Sequence, residues 1–267
     1  MAPTWQELQS SAHTRDYDYT SVSPHLAHKQ LREMISEHIS SAVEAAITRR
    51  GSCTVLEIGA GHGHFTSVAL DAGARAVVTE MSQDSAAYLE ERYRGCADVE
   101  VVHDATGERA FELASAVDVI MCVSLLHHIP DYLTFVSRLS SALQPGSALV
   151  TFQDPMWYPR RRRASFLATK VAYFIWRIGR GDLRAGLATR VRRLRGKYDE
   201  NLAADMVEYH VVRSGVDEER LVDVLKPLFR DVSLITYWST QSTILQQLGE
   251  RIGLVSEFGI VAAGRVG

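Results

Sequence analysis

The chain predicts an α/β fold. The expected core is a doubly wound, mostly parallel, seven-stranded sheet with an antiparallel C-terminal strand, and a helical lid is inserted late in the chain. Three observations carry this expectation. Apolar runs of strand length alternate with amphipathic runs of helix length from residue 53 to about 153. Several of these runs, such as VDVIMCV, are apolar almost throughout, as strands buried on both faces must be. Finally, the chain closes with two strand-like runs, 232–238 and 258–263, that lack the long crossover helix of a parallel unit.

Taken in order, residues 24–49 read as one helix, with Ser23 as N-cap and Pro24 in its first turn. Strand one is expected at 53–58, followed by a helix over 64–72 that Gly73 ends. Strand two covers 76–79, and an amphipathic helix over 83–94 stops at Gly95. Strand three lies at 99–102 and strand four at 117–123. A helix over 133–143 ends at Pro145-Gly146, and strand five covers 148–152. Two helices, 218–228 and 243–252, flank the first closing strand. The expected organisation is an N-terminal helical cap over 1–50, a core over 51–154 and 213–267, and a basic, aromatic lid over 155–212. A connection this long inside a compact domain is usually functional.

With 267 residues, 46% hydrophobic and 23% charged, the chain has the composition of a globular domain with an insertion. Its formal net charge of −3 gives no global attraction to nucleic acid. Cys53, Cys96 and Cys122 show no paired spacing, which speaks against a disulfide or zinc framework and for a reducing compartment. The N-terminus lacks the layout of a secretion signal, and no apolar run reaches the ~18–20 residues of a membrane span. A cytoplasmic location is expected.

The stretch CTVLEIGAGHGHF carries the first functional signal. A strand runs into three alternate glycines, Gly59, Gly61 and Gly63, a cradle in which a ligand can approach bare backbone. Nicotinamide folds space their third glycine one residue later, where this chain has His64. Here an acid, Glu57, stands two residues before the first glycine.

This pattern resembles the first motif of the class I, Rossmann-like S-adenosylmethionine-dependent methyltransferases. The resemblance runs over roughly residues 50–155 and the closing strands. It implies that Glu57, Gly59, Ala60, Gly61 and Gly63 hold the amino-acid part of S-adenosylmethionine. It further implies that Glu80, at the end of strand two and followed by Met81, bonds the ribose hydroxyls. Asp104 and Ala105 would hold the adenine amine, and Ser124 would lie against the cofactor. SLLHHIPD resembles the fourth motif of the family, and LQPGSALVTF the turn into strand five. The product would be S-adenosylhomocysteine, with no metal required.

Methyl transfer to oxygen needs alignment and a base. The candidates are His128, His127, Asp154 and His210, each of which could equally serve in packing or as a turn cap. Candidate substrate contacts are Tyr17, Tyr19, Trp157 and Tyr209, with His25 nearby in the same aromatic N-terminal segment. Thirteen of the 29 Lys and Arg residues fall between 160 and 197, against the single acid Asp182, and aromatics are interleaved among them. Three readings of that segment stay open: a solvated lid helix, a grip on an anionic or lipid-like acceptor or a membrane surface, and a partner contact. Nucleic acid is not expected, because the Asn/Asp-Pro-Pro-Tyr/Phe run used for base amines is missing after strand four. The expected function is methylation of a small or amphiphilic molecule, preferably at oxygen, of the kind found in natural-product or glycolipid tailoring. The competing expectations are a cofactor-binding protein without transfer, such as a cyclase or regulatory partner, and an RNA methyltransferase.

Overall fold

The computed structural model describes residues 23–179 and 215–267, with the backbone alone over 173–179. His210, Tyr209, Tyr17 and Tyr19 lie outside the described residues.

Five parallel strands form the body of one sheet: β1 (Thr54–Ile58), β2 (Arg75–Glu80), β3 (Val99–His103), β4 (Val119–Val123) and β5 (Ala148–Pro155). They are joined by two closing strands, β6 (Phe229–Tyr237) and β7 (Glu257–Arg265), in the order β3-β2-β1-β4-β5-β7-β6. β7 runs antiparallel to both β5 and β6, so it alone reverses direction. The order reverses between β1 and β4. The carboxyl ends on either side of that switch form the crevice where open α/β sheets bind ligands.

The helices cover both faces. α1 (Pro24–Ala27), α2 (Lys29–Arg50), α3 (His64–Asp71) and α4 (Gln83–Arg92) precede β3. They are followed by α5 (Arg109–Leu113), α6 (Tyr132–Ala142), α7 (Arg163–Gly179), α8 (Glu218–Leu225) and α9 (Thr243–Arg251). On one face, Ile35, Ile39 and Val43 of α2 and Phe65 of α3 pack on Val55, Met121, Val150 and Phe152. On the other, Val136 and Leu139 of α6 and Leu221 and Leu225 of α8 pack on Leu56, Ile120, Leu149 and Ile260. The apolar strand runs are thus buried on two sides, as their sequence requires.

Apart from the short helix α5 and shifts of one to three residues at other element ends, three features depart from the sequence reading. The N-terminal helix is broken at His28, whose extended backbone (φ −93°, ψ 121°) separates α1 from α2. There the imidazole donates to the Thr240 carbonyl at 2.6 Å, a partner 212 residues away. Ser23 caps through its carbonyl, which accepts from the N–H groups of Leu26 and Ala27, rather than through its hydroxyl. Strand five extends to Pro155, because pairing with β7 resumes beyond an irregularity between Phe152 and Asp154.

The long excursion that starts after β5 returns beside its own origin. Val216 N–H donates to the Pro155 carbonyl at 2.9 Å, and Met156 bridges Val216. Asp217 then caps α8 through the N–H of Arg220.

β7 crosses β5 closely because Gly259 lacks a side chain. A Cβ there would lie 2.2 Å from the Phe152 ring, which itself is wholly buried. Gly259→Ala should therefore destabilise the fold by about 1–3 kcal/mol through overpacking, read as a lower urea midpoint at unchanged m-value.

Candidate active site

The carboxyl edge of the sheet gathers the sequence-selected residues. Gly59, Gly61 and Gly63 follow β1 with φ of 71°, 56° and 72°. Left-handed backbone favours glycine at all three, and neighbouring side chains crowd two of them. A Cβ at Gly59 would stand 2.9 Å from Leu125, and one at Gly63 would stand 2.7 Å from Leu89. Ala60 packs with Val78 and Leu89 below the turn.

Glu80, at the end of β2, is buried, and main-chain donors hold its carboxylate. Oε2 accepts from Gly61 N–H at 2.8 Å, while Oε1 accepts from Met81 at 2.9 Å and Ser82 at 3.2 Å. The acid thereby ties the glycine turn to the end of β2. Met81 in turn receives His103 Nε2 on its carbonyl at 3.1 Å. Asp104, after β3, accepts from Gly107 N–H at 2.9 Å and Ala110 N–H at 3.1 Å, so it also organises the start of α5. Ala105 beside it is exposed. Ser124 follows β4 with φ 57° and donates its N–H to the Phe152 carbonyl at 2.7 Å.

Glu57 sits differently from the expectation that it answers a cationic ligand directly. It is buried and accepts a hydrogen bond from the Thr66 hydroxyl of α3. Burial pushes its carboxyl up to about 8, against the opposing pull of Thr66. Glu57 thereby fastens α3 to β1 as a largely protonated acid near neutral pH.

The base candidates separate clearly. Asp154 is wholly buried in β5, not in the loop after it. Its Oδ1 accepts from His127 twice, from the backbone N–H at 3.0 Å and from Nδ1–H at 2.8 Å. Its Oδ2 accepts from the Thr151 hydroxyl at 3.2 Å. This pairing fixes the His127 tautomer with its proton on Nδ1 and makes Nε2 the basic nitrogen. His128 lies with its ring centroid 4.0 Å from that of His127.

Other residues complete the edge without a strong sequence signal. His25 of α1 is buried against Phe65 (centroids 6.0 Å apart), and its Nδ1 has no hydrogen-bond partner. Burial, then His64 and His127, pull its pKa down to about 3, so it stays neutral. An orphaned, neutral imidazole nitrogen at the glycine turn fits a site built for a cationic, hydrogen-bonding ligand. Gln153 holds φ 64° and donates its N–H to the buried Tyr237 hydroxyl at 2.7 Å and its amide to Ser239 at 3.0 Å. The only hint of this network in the sequence was the polar pair Gln153-Asp154 at a strand end. His62 stacks on Tyr88 at 4.1 Å, and His64 meets Phe65 edge-on.

Trp157 donates its N–H to Glu218 at 3.0 Å and carries the Arg160 guanidinium 4.9 Å above its ring. It lines a cleft of about 300 Å³ with Tyr132, Asp217 and Arg220, next to the turn that carries His127. Asp131 caps α6 through Thr134 N–H. Among the described residues, no three His, Cys, Asp or Glu side chains converge as metal ligands. All three cysteines are free, and Cys53 and Cys122 are buried.

Folding stability should report on Glu57. A carboxyl whose folded pKa is raised favours the native state most fully at low pH, and that contribution declines between about 4.5 and 8 as the unfolded chain ionises first. Wild type should lose stability relative to Glu57→Gln across this window, by at most about 1.4 kcal/mol per pH unit, in paired urea titrations.

Residues 56–149 match a family model described as a methyltransferase domain. No curated protein sequence matches the chain. Among solved structures, the fold resembles the geranyl diphosphate C-methyltransferase from Streptomyces coelicolor A3(2), in complex with Mg2+, geranyl diphosphate and S-adenosyl-L-homocysteine. The TM-score is 0.56 at 12% identity, over 99% of this chain and 100% of that one. The [4+2]-cyclase SpnF matches with a TM-score of 0.56 at 13% identity, over 100% and 98% of the two chains. The CurJ carbon methyltransferase matches with a TM-score of 0.53 at 14% identity; the match covers 91% of this chain and 57% of that chain. The glycine turn, the acids at the ends of β2 and β3 and the strand order agree with that match: residues 56–149 form a methyltransferase domain within a Rossmann-like sheet.

Proposed function

We propose that the protein methylates a small or amphiphilic, anionic acceptor at oxygen, without a metal, using His127 as general base and Asp154 as its positioning partner. The observation that carries this reading is the Asp154 carboxylate, wholly buried and bonded to both the backbone and the ring of His127.

When bound, S-adenosylmethionine supplies an electrophilic methyl group on a sulfonium. The chain's own residues do the rest. Gly59, Gly61 and Gly63 offer a close main-chain approach, and Glu80 presents a pre-fixed carboxylate to a diol. Asp104 retains lone pairs toward an exocyclic amine. The acceptor hydroxyl passes its proton to His127 Nε2 as oxygen attacks, and Asp154 stabilises the resulting imidazolium. The cleft lined by Trp157, Tyr132 and Arg220, together with the acids Asp131 and Asp217, offers aromatic and polar surface for the acceptor. The geranyl diphosphate bound by one structural neighbour is an anionic lipid-like molecule, in keeping with that class.

Calorimetric titration tests the cofactor half. Wild type should bind S-adenosylmethionine and S-adenosylhomocysteine, and Glu80→Ala should lose both by at least about tenfold; no binding by wild type would end the reading. Turnover on lipid extracts and phosphorylated metabolites tests the chemistry. His127→Ala should lower kcat by about 10²–10⁴-fold with cofactor affinity intact, and Asp154→Asn should also shift the pH–rate profile. Unchanged turnover in both variants would remove the base.

A second reading keeps cofactor binding and drops transfer. The fold shared with a [4+2]-cyclase favours it. It predicts cofactor affinity with no methylated product from any acceptor pool. An RNA methyltransferase is the weakest alternative and would show RNA affinity falling steeply with salt.

A further inference from the structure

Six large hydrophobic side chains are exposed among the described residues, and five of them lie on two helices or, for Ile252, at the C-cap of one. Ile244, Leu248 and Ile252 are 79%, 51% and 64% exposed, and Leu167 and Val171 are 63% and 46% exposed. The first three recur every four residues along α9 and its C-cap. The opposite side of that helix is buried, with Gly249 against Trp238 and Gln246 bonded to the Trp238 carbonyl. On α7, Leu167 and Val171 are likewise four apart, opposite the buried Ser165 and Ala172. Each helix therefore packs one side inward through small or polar residues and turns an aliphatic stripe to solvent, which packing among the described residues does not require.

The two outward stripes belong to one end of the molecule. Ser165, in the first turn of α7, accepts from the N–H of Val255, in the loop that follows α9. α9 also begins just after the end of β6 and ends just before the start of β7, at the same edge as Asp154. The exposed charges around the stripes are mostly positive. Arg162, Arg163 and Lys170 flank Leu167, and Arg251 precedes Ile252, while Glu250 is the neighbouring acid.

We propose that α7 and α9 together form a face that seats on an anionic lipid surface, with the five aliphatic side chains entering the interface and the cations meeting the headgroups. Apolar stripes rimmed by Arg and Lys are what such a surface selects. The sequence reading places membrane contact in 160–197 alone; among the described side chains, α9 and its C-cap, some fifty residues further on, supply three of the five exposed aliphatic residues. A second copy of this chain is the poorer occupant. A two-fold pairing through this face would set four cations against the same four, with one acid each to offset them. Seating here would bring the carboxyl edge of the sheet near the bilayer, where an amphiphilic acceptor resides.

Vesicle flotation tests this, and because it reads binding without turnover it stands apart from the catalytic reading. The full chain is mixed with vesicles of three parts phosphatidylcholine to one part phosphatidylglycerol, or with phosphatidylcholine alone. A second protein carries Ile244→Ser, Leu248→Ser and Ile252→Ser, with wild-type thermal unfolding and S-adenosylhomocysteine affinity as proof of folding. Wild type should bind the anionic vesicles at least about tenfold more tightly than the neutral ones, less so at high salt. The triple variant should lose at least about tenfold on the anionic vesicles. Equal binding by both proteins, or none by wild type, overturns the proposal. So does a lipid-free, concentration-dependent dimer that the variant abolishes, which would assign the face to a second copy.

Discussion

Main-chain N–H groups that solvate buried carboxylates are the constraint on which the carboxyl edge of this sheet depends. An ionised acid out of water is costly unless donors surround it. Glu80 takes three backbone donors, from Gly61, Met81 and Ser82. Asp104 takes two, from Gly107 and Ala110, and Asp154 takes one from His127 together with its ring. Each of these bonds satisfies an acid and at the same time fixes a loop. The glycine turn is held to the end of β2, the start of α5 to the end of β3, and the turn after β4 to β5. The same device works at the opposite edge, where Asp118 accepts from Thr54 N–H and pairs with Arg50 at 2.9 Å. Ligand-facing loops are usually mobile. Here the acids that would recognise the ligand are the ones that hold the loops still.

What was legible in the sequence was local. The strands announced themselves by apolar runs, and the glycine turn, Glu80 and Asp104 by their positions at strand ends, because each signal sits within a few residues of the structure it makes. The failures all involve distant partners. Nothing in residues 24–49 marks a break at His28, since the Thr240 carbonyl that captures its ring is 212 residues away. Strand five seemed to stop at Phe152, where the apolar run ends, but β7 continues to pair with it as far as Pro155. His127 and Asp154 were both picked out as candidates, yet their partnership spans 27 residues and two strand ends, and no spacing rule encodes it. The exposed stripe on α9 was in plain view as Ile244, Leu248 and Ile252. Its significance depends on knowing which side of the helix Trp238 covers.

The charge state of the edge follows from burial more than from composition. His25 is kept neutral down to about pH 3 by burial and by two neighbouring imidazoles, and Glu57 is kept protonated up to about 8 by burial. The two effects act in the same direction, since each removes a charge beside the glycine turn. A charged His25 would stand against a sulfonium; a neutral one offers a nitrogen.

The end of β5 shows what this arrangement costs the backbone. In a regular strand, residues three apart point to opposite faces of the sheet. Thr151 and Asp154 nevertheless meet, hydroxyl to carboxylate, at 3.2 Å. Gln153 makes this possible by taking a left-handed conformation, φ 64°, that turns the following residue back to the face of Thr151 and toward His127. For a residue with a Cβ, that conformation costs about 1–2 kcal/mol. Glycine would remove the cost, but it would also remove the side chain that bonds Ser239 at 3.0 Å and approaches the Tyr237 hydroxyl. The hydrogen bonds of Gln153 to β6 and the segment after it offset the strain and hold the bulge against relaxing to regular pleat. Strain of this kind persists only where surrounding structure over-determines it, and it gathers at sites that do chemistry. Ser124, at the end of the adjacent strand, is the other described non-glycine residue with positive φ. The two strained residues thus flank the turn that presents His127, where the backbone departs furthest from what sheet formation alone would choose.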